Sequence, residues 1–310
     1  MKDNTLNGRD LIGIADLTKD ELTFLLDRAE HLREQVARER RLTLLRGYLL
    51  TTLFYEPSTR TRLSFEAAMH RLGGQVLSVA DARATSSAAK GESIADAART
   101  VAGYADVIVQ RHPAIGSAQE AADAVDIPVI NAGDGAGEHP TQALLDLYTI
   151  RQEQGSLEGR AVALVGDLKH GRTVHSLARA LAHWQATLIL VSPAALAMEP
   201  ATVAQLRAAG LSVEETDDLG QAVRRADVLY VTRIQRERFD DPAEYERLKG
   251  AYVVDRALLT QGQPHLTVMH PLPRVDEIAP EVDTLPNAAY FRQAANGVWV
   301  RMALLASVVG

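Results

Sequence analysis

The sequence predicts an α/β protein built from two doubly wound parallel-sheet domains. Three observations predict it. Short apolar runs alternate with amphipathic segments along nearly the whole chain, the pattern of parallel strands joined by crossover helices. The runs number about nine, which divide more naturally between two sheets than they fit one. A chain of 310 residues is comfortable for two domains of ordinary size.

In order, the apolar runs predict strands at Tyr48–Phe54, Gln75–Ala80, Asp106–Gln110, Pro128–Asn131, Ala161–Gly166, Thr187–Ser192, Val228–Thr232, Ala251–Val254 and Leu266–His270. Helical spacing predicts helices that include Lys19–Glu39, Thr59–Leu72, Ser93–Gly103, Thr141–Gln154, Thr173–Trp184, Thr202–Ala209 and Phe291–Val309. The polar connection Gln152–Arg160, with Gly155 and Gly159, reads as the seam between the two sheets. The expected domains are 1–145 and 146–290, followed by a terminal helix over 291–310.

Composition removes several classes of function. There is no cysteine, so disulfides, iron–sulfur clusters and thiolate zinc sites are excluded. The nine histidines are scattered without ligand spacing, and no metal or cofactor is expected. A net charge of −7 argues against general nucleic-acid binding. Met1–Asn7 is polar and no apolar run is long enough to span a bilayer, so a cytoplasmic location is expected, with no membrane partner.

The most informative stretch runs Phe54-Tyr-Glu-Pro-Ser-Thr-Arg-Thr-Arg62, where a strand turns into a helix. A helix N-terminus leaves N–H groups unpaired and carries partial positive charge. Three hydroxyl residues, Ser58, Thr59 and Thr61, and two guanidiniums there make an anion site suited to phosphate. Helix capping alone explains one hydroxyl, not the cluster. Arg111 follows another strand on the same carboxyl edge, where ligands of open α/β sheets collect. His139 and Gln142, at i and i+3 of a helix start, share a face. The helix N-terminus disfavours the charged form of His139, which suits it to donate a hydrogen bond to a carbonyl oxygen. Asn131–Glu138 reads as a flexible glycine turn delivering His139, because Glu138 stands where a dinucleotide fingerprint needs glycine. Gly166–Thr173 has phosphate-loop spacing with Arg172 in place of lysine. A triphosphatase would also want an acidic magnesium ligand at the carboxyl end of a neighbouring strand, and Asp227 stands at the wrong end.

These residues resemble the aspartate and ornithine carbamoyltransferases. The phosphate signature is joined, in family order, by Lys90-Gly91-Glu92, Arg111-His112-Pro113, His139-Pro140-Thr141-Gln142 and His270-Pro271-Leu272-Pro273-Arg274. The resemblance covers nearly the whole chain. It implies transfer of a carbamoyl group from carbamoyl phosphate to an amine, an early step of pyrimidine synthesis, at an active site between the two domains. Ser58, Thr59, Arg60, Thr61 and Arg111 would hold carbamoyl phosphate. Thr61, Arg111 and His139 would polarise its carbonyl, and Gln142 with the backbone carbonyls of Pro271 and Leu272 would orient its NH2. Arg172 would take the α-carboxylate of the acceptor, and Arg233 and Gln235 a second carboxylate. Ornithine enzymes carry a cysteine in the late block and an acceptor loop resembling Ser-Met-Gly. This chain reads His270-Pro271-Leu272-Pro273 and Thr232-Arg233-Ile234-Gln235, and an arginine there suits aspartate and repels ornithine. The resemblance further implies a homotrimer in which Ser86 and Lys90, on a mobile loop, reach a neighbour's site. It also implies a brace of Glu56 with Arg172 and Arg238, and a terminal helix packed on the first domain. Regulatory chains or a dihydroorotase are possible partners within the family. The alternatives are an ornithine-type or other carbamoyltransferase, or a non-catalytic relative acting only in assembly.

Overall fold

The structure, a computed structural model, describes residues 6–234 and 242–310. It divides into two compact units, Met1–Leu145 with Ala295–Gly310, and Asp146–Ala294.

In the first unit α1 (Lys19–Glu39) begins at a capping box. The Thr18 hydroxyl accepts from the Glu21 N–H, and the Glu21 carboxylate accepts from the Thr18 N–H. Its buried stripe, Leu22, Leu25, Leu26, Ala29, Leu32 and Val36, repeats at helical spacing. The chain then alternates through β1 (Leu49–Phe54), α2 (Thr59–Arg71), β2 (Gln75–Val79), α3 (Ala82–Thr85), α4 (Ile94–Ala102), β3 (Val107–His112), α5 (Ser117–Ala122) and β4 (Val129–Asp134). The four strands are parallel, in the order β2-β1-β3-β4. β1 and β3 are central and buried on both faces, as near-continuous apolar runs demand.

α6 (Pro140–Gln154) follows β4, with proline at its first position, where no N–H is needed. The division between the units falls inside this helix. The second unit continues with β5 (Ala161–Val165), α7 (Arg172–Leu181), β6 (Thr187–Val191), α8 (Pro200–Ala208), β7 (Ser212–Thr216), α9 (Leu219–Arg225), β8 (Val228–Val231), α10 (Pro242–Leu248), α11 (Arg256–Leu259) and β9 (Thr267–Met269). Its five strands are parallel in the order β7-β6-β5-β8-β9. α12 (Tyr290–Val308) closes the chain and passes into the first unit at Ala295. There Arg28 donates to Ser307 Oγ at 3.1 Å and to the Ala306 carbonyl at 3.0 Å. Among the described residues no helix is long and apolar enough to cross a membrane.

The fold is the doubly wound α/β architecture expected, with two corrections. Ala251–Val254 is not a strand; only Val254 makes an isolated bridge, to Ile278. The edge strand β7 was not expected. Its sequence, Ser-Val-Glu-Glu-Thr, buries a single side chain, Val213, so it carries almost no apolar signal.

Each sheet has a point where the strand order reverses: between β1 and β3, and between β5 and β8. Crossovers leave in opposite directions there, opening a crevice at the carboxyl ends of the strands.

Candidate active site

In the first unit the crevice is built by β1 and β3. Phe54 and Arg111 are in register, and the Tyr55 N–H donates to the Arg111 carbonyl at 2.8 Å. The strand ends therefore deliver Ser58–Thr61 and Arg111 to one edge. Ser58 occupies the N-cap position of α2 in extended conformation, yet its side chain makes no capping hydrogen bond. The hydroxyl is not consumed by the helix, and capping does not account for it.

Arg111 is only 9% exposed. One terminal nitrogen donates to Glu56 Oε1 at 2.9 Å and the other to the Ala132 carbonyl at 3.2 Å. Its Nε is buried with no partner among the described residues. Burial pushes the Arg111 pKa down, and the Glu56 carboxylate offsets this in part. Arg60, exposed at the rim, is lowered by desolvation and then by the charge of Arg111. Two guanidiniums whose charges oppose each other favour an anion between them.

The second guanidinium of the signature has a different task. Arg62 pairs with Glu66 at 2.9 Å and bonds Ser78 Oγ at 2.9 Å, while Glu66 also accepts from Thr52 and Ser78. Two arginines were expected in the anion site; Arg62 is committed here, which leaves Arg60 as this stretch's candidate, beside Arg111.

His139 and Gln142 are buried at the start of α6, where the His139 carbonyl accepts from the N–H groups of Gln142 and Ala143. The turn that delivers them is more constrained than its glycines suggested. Asp134 accepts from the N–H groups of Glu138 at 2.7 Å and Gly116 at 2.9 Å, and from the Asn131 amide at 3.2 Å.

Ser86 and Lys90 follow the edge strand β2. The segment is not an open loop but α3 followed by a 3-10 turn, Ser87–Lys90, closing at Gly91. Ser86 Oγ donates to the Ala82 carbonyl at 2.5 Å and accepts from the Ala88 N–H at 3.2 Å. Lys90 is exposed and makes no ion pair among the described residues.

In the second unit β5 and β8 lead to the acceptor-side candidates, and β9 leads to Pro271 and Leu272. Arg172 opens α7 and Arg233 follows β8, both partly exposed. Gln235 and Arg238 lie outside the described residues. The Thr232 N–H and hydroxyl both donate to the Val165 carbonyl, at 2.8 and 3.0 Å, fixing the strand end before Arg233. Gly166 sits against this point with φ +114, and a β-carbon there would lie 2.3 Å from the Thr232 carbonyl oxygen. Gly166→Ala should therefore cost about 2–4 kcal/mol of stability. Gly210→Ala, at φ +91 but with open space around it, should cost only about 1–2 kcal/mol. Thermal melting of both variants separates the collision from the backbone conformation, and equal losses would contradict it.

Asp227, at the amino end of β8, accepts from the Ala161 N–H at 2.8 Å and pairs with His265 at 2.7 Å. It is structural, and the triphosphatase alternative loses its only acidic candidate. Among the described residues no cluster of three or more histidine, aspartate or glutamate side chains could hold a metal ion.

Pro271 and Leu272 follow β9, half-buried. Leu272 adopts φ +55 and its bond to Pro273 is cis. Sequence reasoning missed what surrounds them: the Glu277 carboxylate, and a buried network in which Asp146 accepts from the Tyr230 hydroxyl at 2.8 Å and the Gln293 amide at 2.7 Å. Glu277 stands in no periodic pattern, and nothing in its neighbourhood marks it as buried.

Fold and site define a protein that concentrates positive, hydrogen-bonding groups at the carboxyl edges of two doubly wound sheets. The chain belongs to the aspartate/ornithine carbamoyltransferase family. Residues 9–152 match the family's carbamoyl-P binding domain and residues 158–308 its Asp/Orn binding domain. The chain is similar to the aspartate carbamoyltransferase catalytic subunit of Thermococcus onnurineus, 55% identical over 98% of this chain and 97% of that one. It also matches part of the multifunctional protein CAD of Squalus acanthias, 50% identical over 98% of this chain but 13% of that protein. Among solved structures it resembles aspartate transcarbamoylase from Trypanosoma cruzi in complex with carbamoyl phosphate and aspartate. The TM-score is 0.94 and the identity 40%, with 99% of this chain and 98% of that one covered.

Proposed function

We propose that this enzyme transfers the carbamoyl group of carbamoyl phosphate to the amine of L-aspartate, giving N-carbamoyl-L-aspartate and phosphate, a step of pyrimidine synthesis. The observation that carries the reading is the buried Arg111, held by Glu56 with its Nε still open, beside Arg60 and the uncommitted Ser58 hydroxyl.

In this reading Ser58, Thr59, Arg60, Thr61 and Arg111 hold the phosphate. Thr61, Arg111 and His139 polarise the carbonyl, and Gln142 with the carbonyls of Pro271 and Leu272 orients the NH2. Arg172 grips the α-carboxylate of aspartate; Arg233 and Gln235 grip the β-carboxylate. The amine attacks the carbonyl carbon, the carbon–oxygen bond to phosphate breaks, and the leaving phosphate accepts the amine proton. No protein base and no covalent intermediate are needed. Both substrates are anions, so fixed cations offset their repulsion. Holding the pair together contributes roughly 7–11 kcal/mol, and a donor fixed on the developing oxyanion about 2.7–4 kcal/mol.

A cytoplasmic homotrimer is part of the same reading, with Ser86 and Lys90 serving a neighbouring copy and Glu56, Arg172 and Arg238 bracing a closed state. Its support is the bare edge strand β2, where Gln75, Leu77 and Ser78 are exposed, together with the exposed apolar residues Tyr48, Leu63 and Tyr104 on adjoining elements.

The test is carbamoylation by the purified protein with aspartate and, as control, ornithine. Turnover with aspartate alone supports the reading; turnover with ornithine, or none, overturns it. Within that assay Arg233→Ala should raise the KM for aspartate by an amount corresponding to about 2–5 kcal/mol, with carbamoyl phosphate binding nearly intact. Equal damage to both substrates would remove Arg233 from the acceptor site.

A further inference from the structure

We infer that His270 and Glu277 form a positioning relay that fixes the Pro271–Leu272 backbone for the carbamoyl group. The inference rests on the carbamoyl-transfer reading and adds to it two residues with no role there. Both side chains are buried, His270 at 1% and Glu277 at 6% exposed.

The bonds run in one direction. The Leu272 N–H donates to His270 Nδ1 at 2.7 Å. That nitrogen therefore presents its lone pair, and the ring proton sits on Nε2, which faces Glu277 Oε1 at 2.7 Å. The other carboxylate oxygen accepts from the N–H groups of Val275 at 3.0 Å and Asp276 at 3.1 Å. Burial works against the charge on Glu277, but the bonds from His270 and the backbone more than offset it, and the carboxyl lies below its ordinary range. The His270 N–H is itself held by Gln293 Oε1 at 2.8 Å, so the relay starts from a fixed strand end.

What the relay holds is a conformation leucine rarely adopts. Leu272 sits at φ +55, where its β-carbon is disfavoured. An acceptor two residues back, aimed at the Leu272 N–H, stabilises it. Two adjacent carbonyls can orient an NH2 group only if the peptide planes between them are fixed. A buried carboxylate is a costly way merely to staple a surface turn; it suits a turn whose carbonyls must point at a ligand.

Two substitutions separate the two ring bonds. In His270→Asn the amide oxygen reaches the place of Nδ1 and keeps the Leu272 bond. In His270→Gln the amide nitrogen reaches the place of Nε2 and keeps the Glu277 bond only. The readouts are the KM for carbamoyl phosphate and the Ki of inorganic phosphate competing with it, because phosphate lacks the NH2 group. His270→Gln should raise the KM for carbamoyl phosphate about tenfold with the phosphate Ki little changed, while His270→Asn retains most of the affinity. Parallel weakening of both ligands, an unchanged ratio, or a larger effect in His270→Asn overturns the relay. If His270→Gln does not fold, Glu277→Gln is measured against the same two ligands, and an unchanged ratio of KM to Ki again overturns it. Failure of the wild-type enzyme to carbamoylate aspartate would instead refute the underlying reading.

Discussion

Arg60→Ala should lower kcat at least about 100-fold while leaving the melting temperature unchanged or slightly higher. The two halves of this expectation have separate causes. In the transition state Arg60 would meet charge building on the departing phosphate, and no neighbouring group replaces it, because Arg62 is committed to Glu66. In the empty protein Arg60 makes no ion pair among the described residues and is opposed by Arg111, so its removal relieves repulsion rather than breaking a contact. Steady-state rates and thermal melting decide the matter together. A near-normal rate would remove Arg60 from the anion site, and a large drop in melting temperature would make it a structural residue.

The second large effect is recovery of activity from two dead variants. Lys90→Ala and Arg60→Ala should each be nearly inactive as pure assemblies. If Lys90 serves a neighbouring copy, dissociating and reassembling them in equal amounts creates sites whose Arg60 and Lys90 are both intact but come from different chains. Random assembly of a cyclic oligomer makes about one quarter of the sites complete, and activity should approach that fraction of wild type. Verified hybrids that stay inactive would refute the shared site, as would a fully active monomer.

Where sequence reasoning succeeded, a local signal and its physical cause coincided. The central strands β1 and β3 are buried on both faces and read as unbroken apolar runs. The helix α1 has both its bounds and its capping box written in the chain. The junction behind the candidate anion site was legible because hydroxyls and guanidiniums cluster there, and β1 does end and α2 begin around Ser58. Three-dimensional partnerships were not legible. Nothing in Ser-Thr-Arg-Thr-Arg distinguishes Arg60 from Arg62; only Glu66, one helical turn on, claims the second of them. The short alanine-rich helix α5 carries no large apolar residue and escaped notice, as did the polar edge strand β7. The Glu277–His270 pair depends on a turn folding back over seven residues, and no periodicity announces it.

The bare edge strand β2 has a consequence for the life of the single chain. Its sequence, Gln-Val-Leu-Ser-Val, contains neither proline nor charge, and edges that stay monomeric are usually protected by one or the other. In the trimer proposed above, a subunit that has not met its neighbour would present a short, sticky β-template flanked by exposed tyrosine and leucine side chains. On that reading, dilution or overproduction would set assembly against disordered aggregation. A variant engineered to remain single should need a lysine on this strand at Leu77, because the Ser78 hydroxyl is held by Arg62 and Glu66.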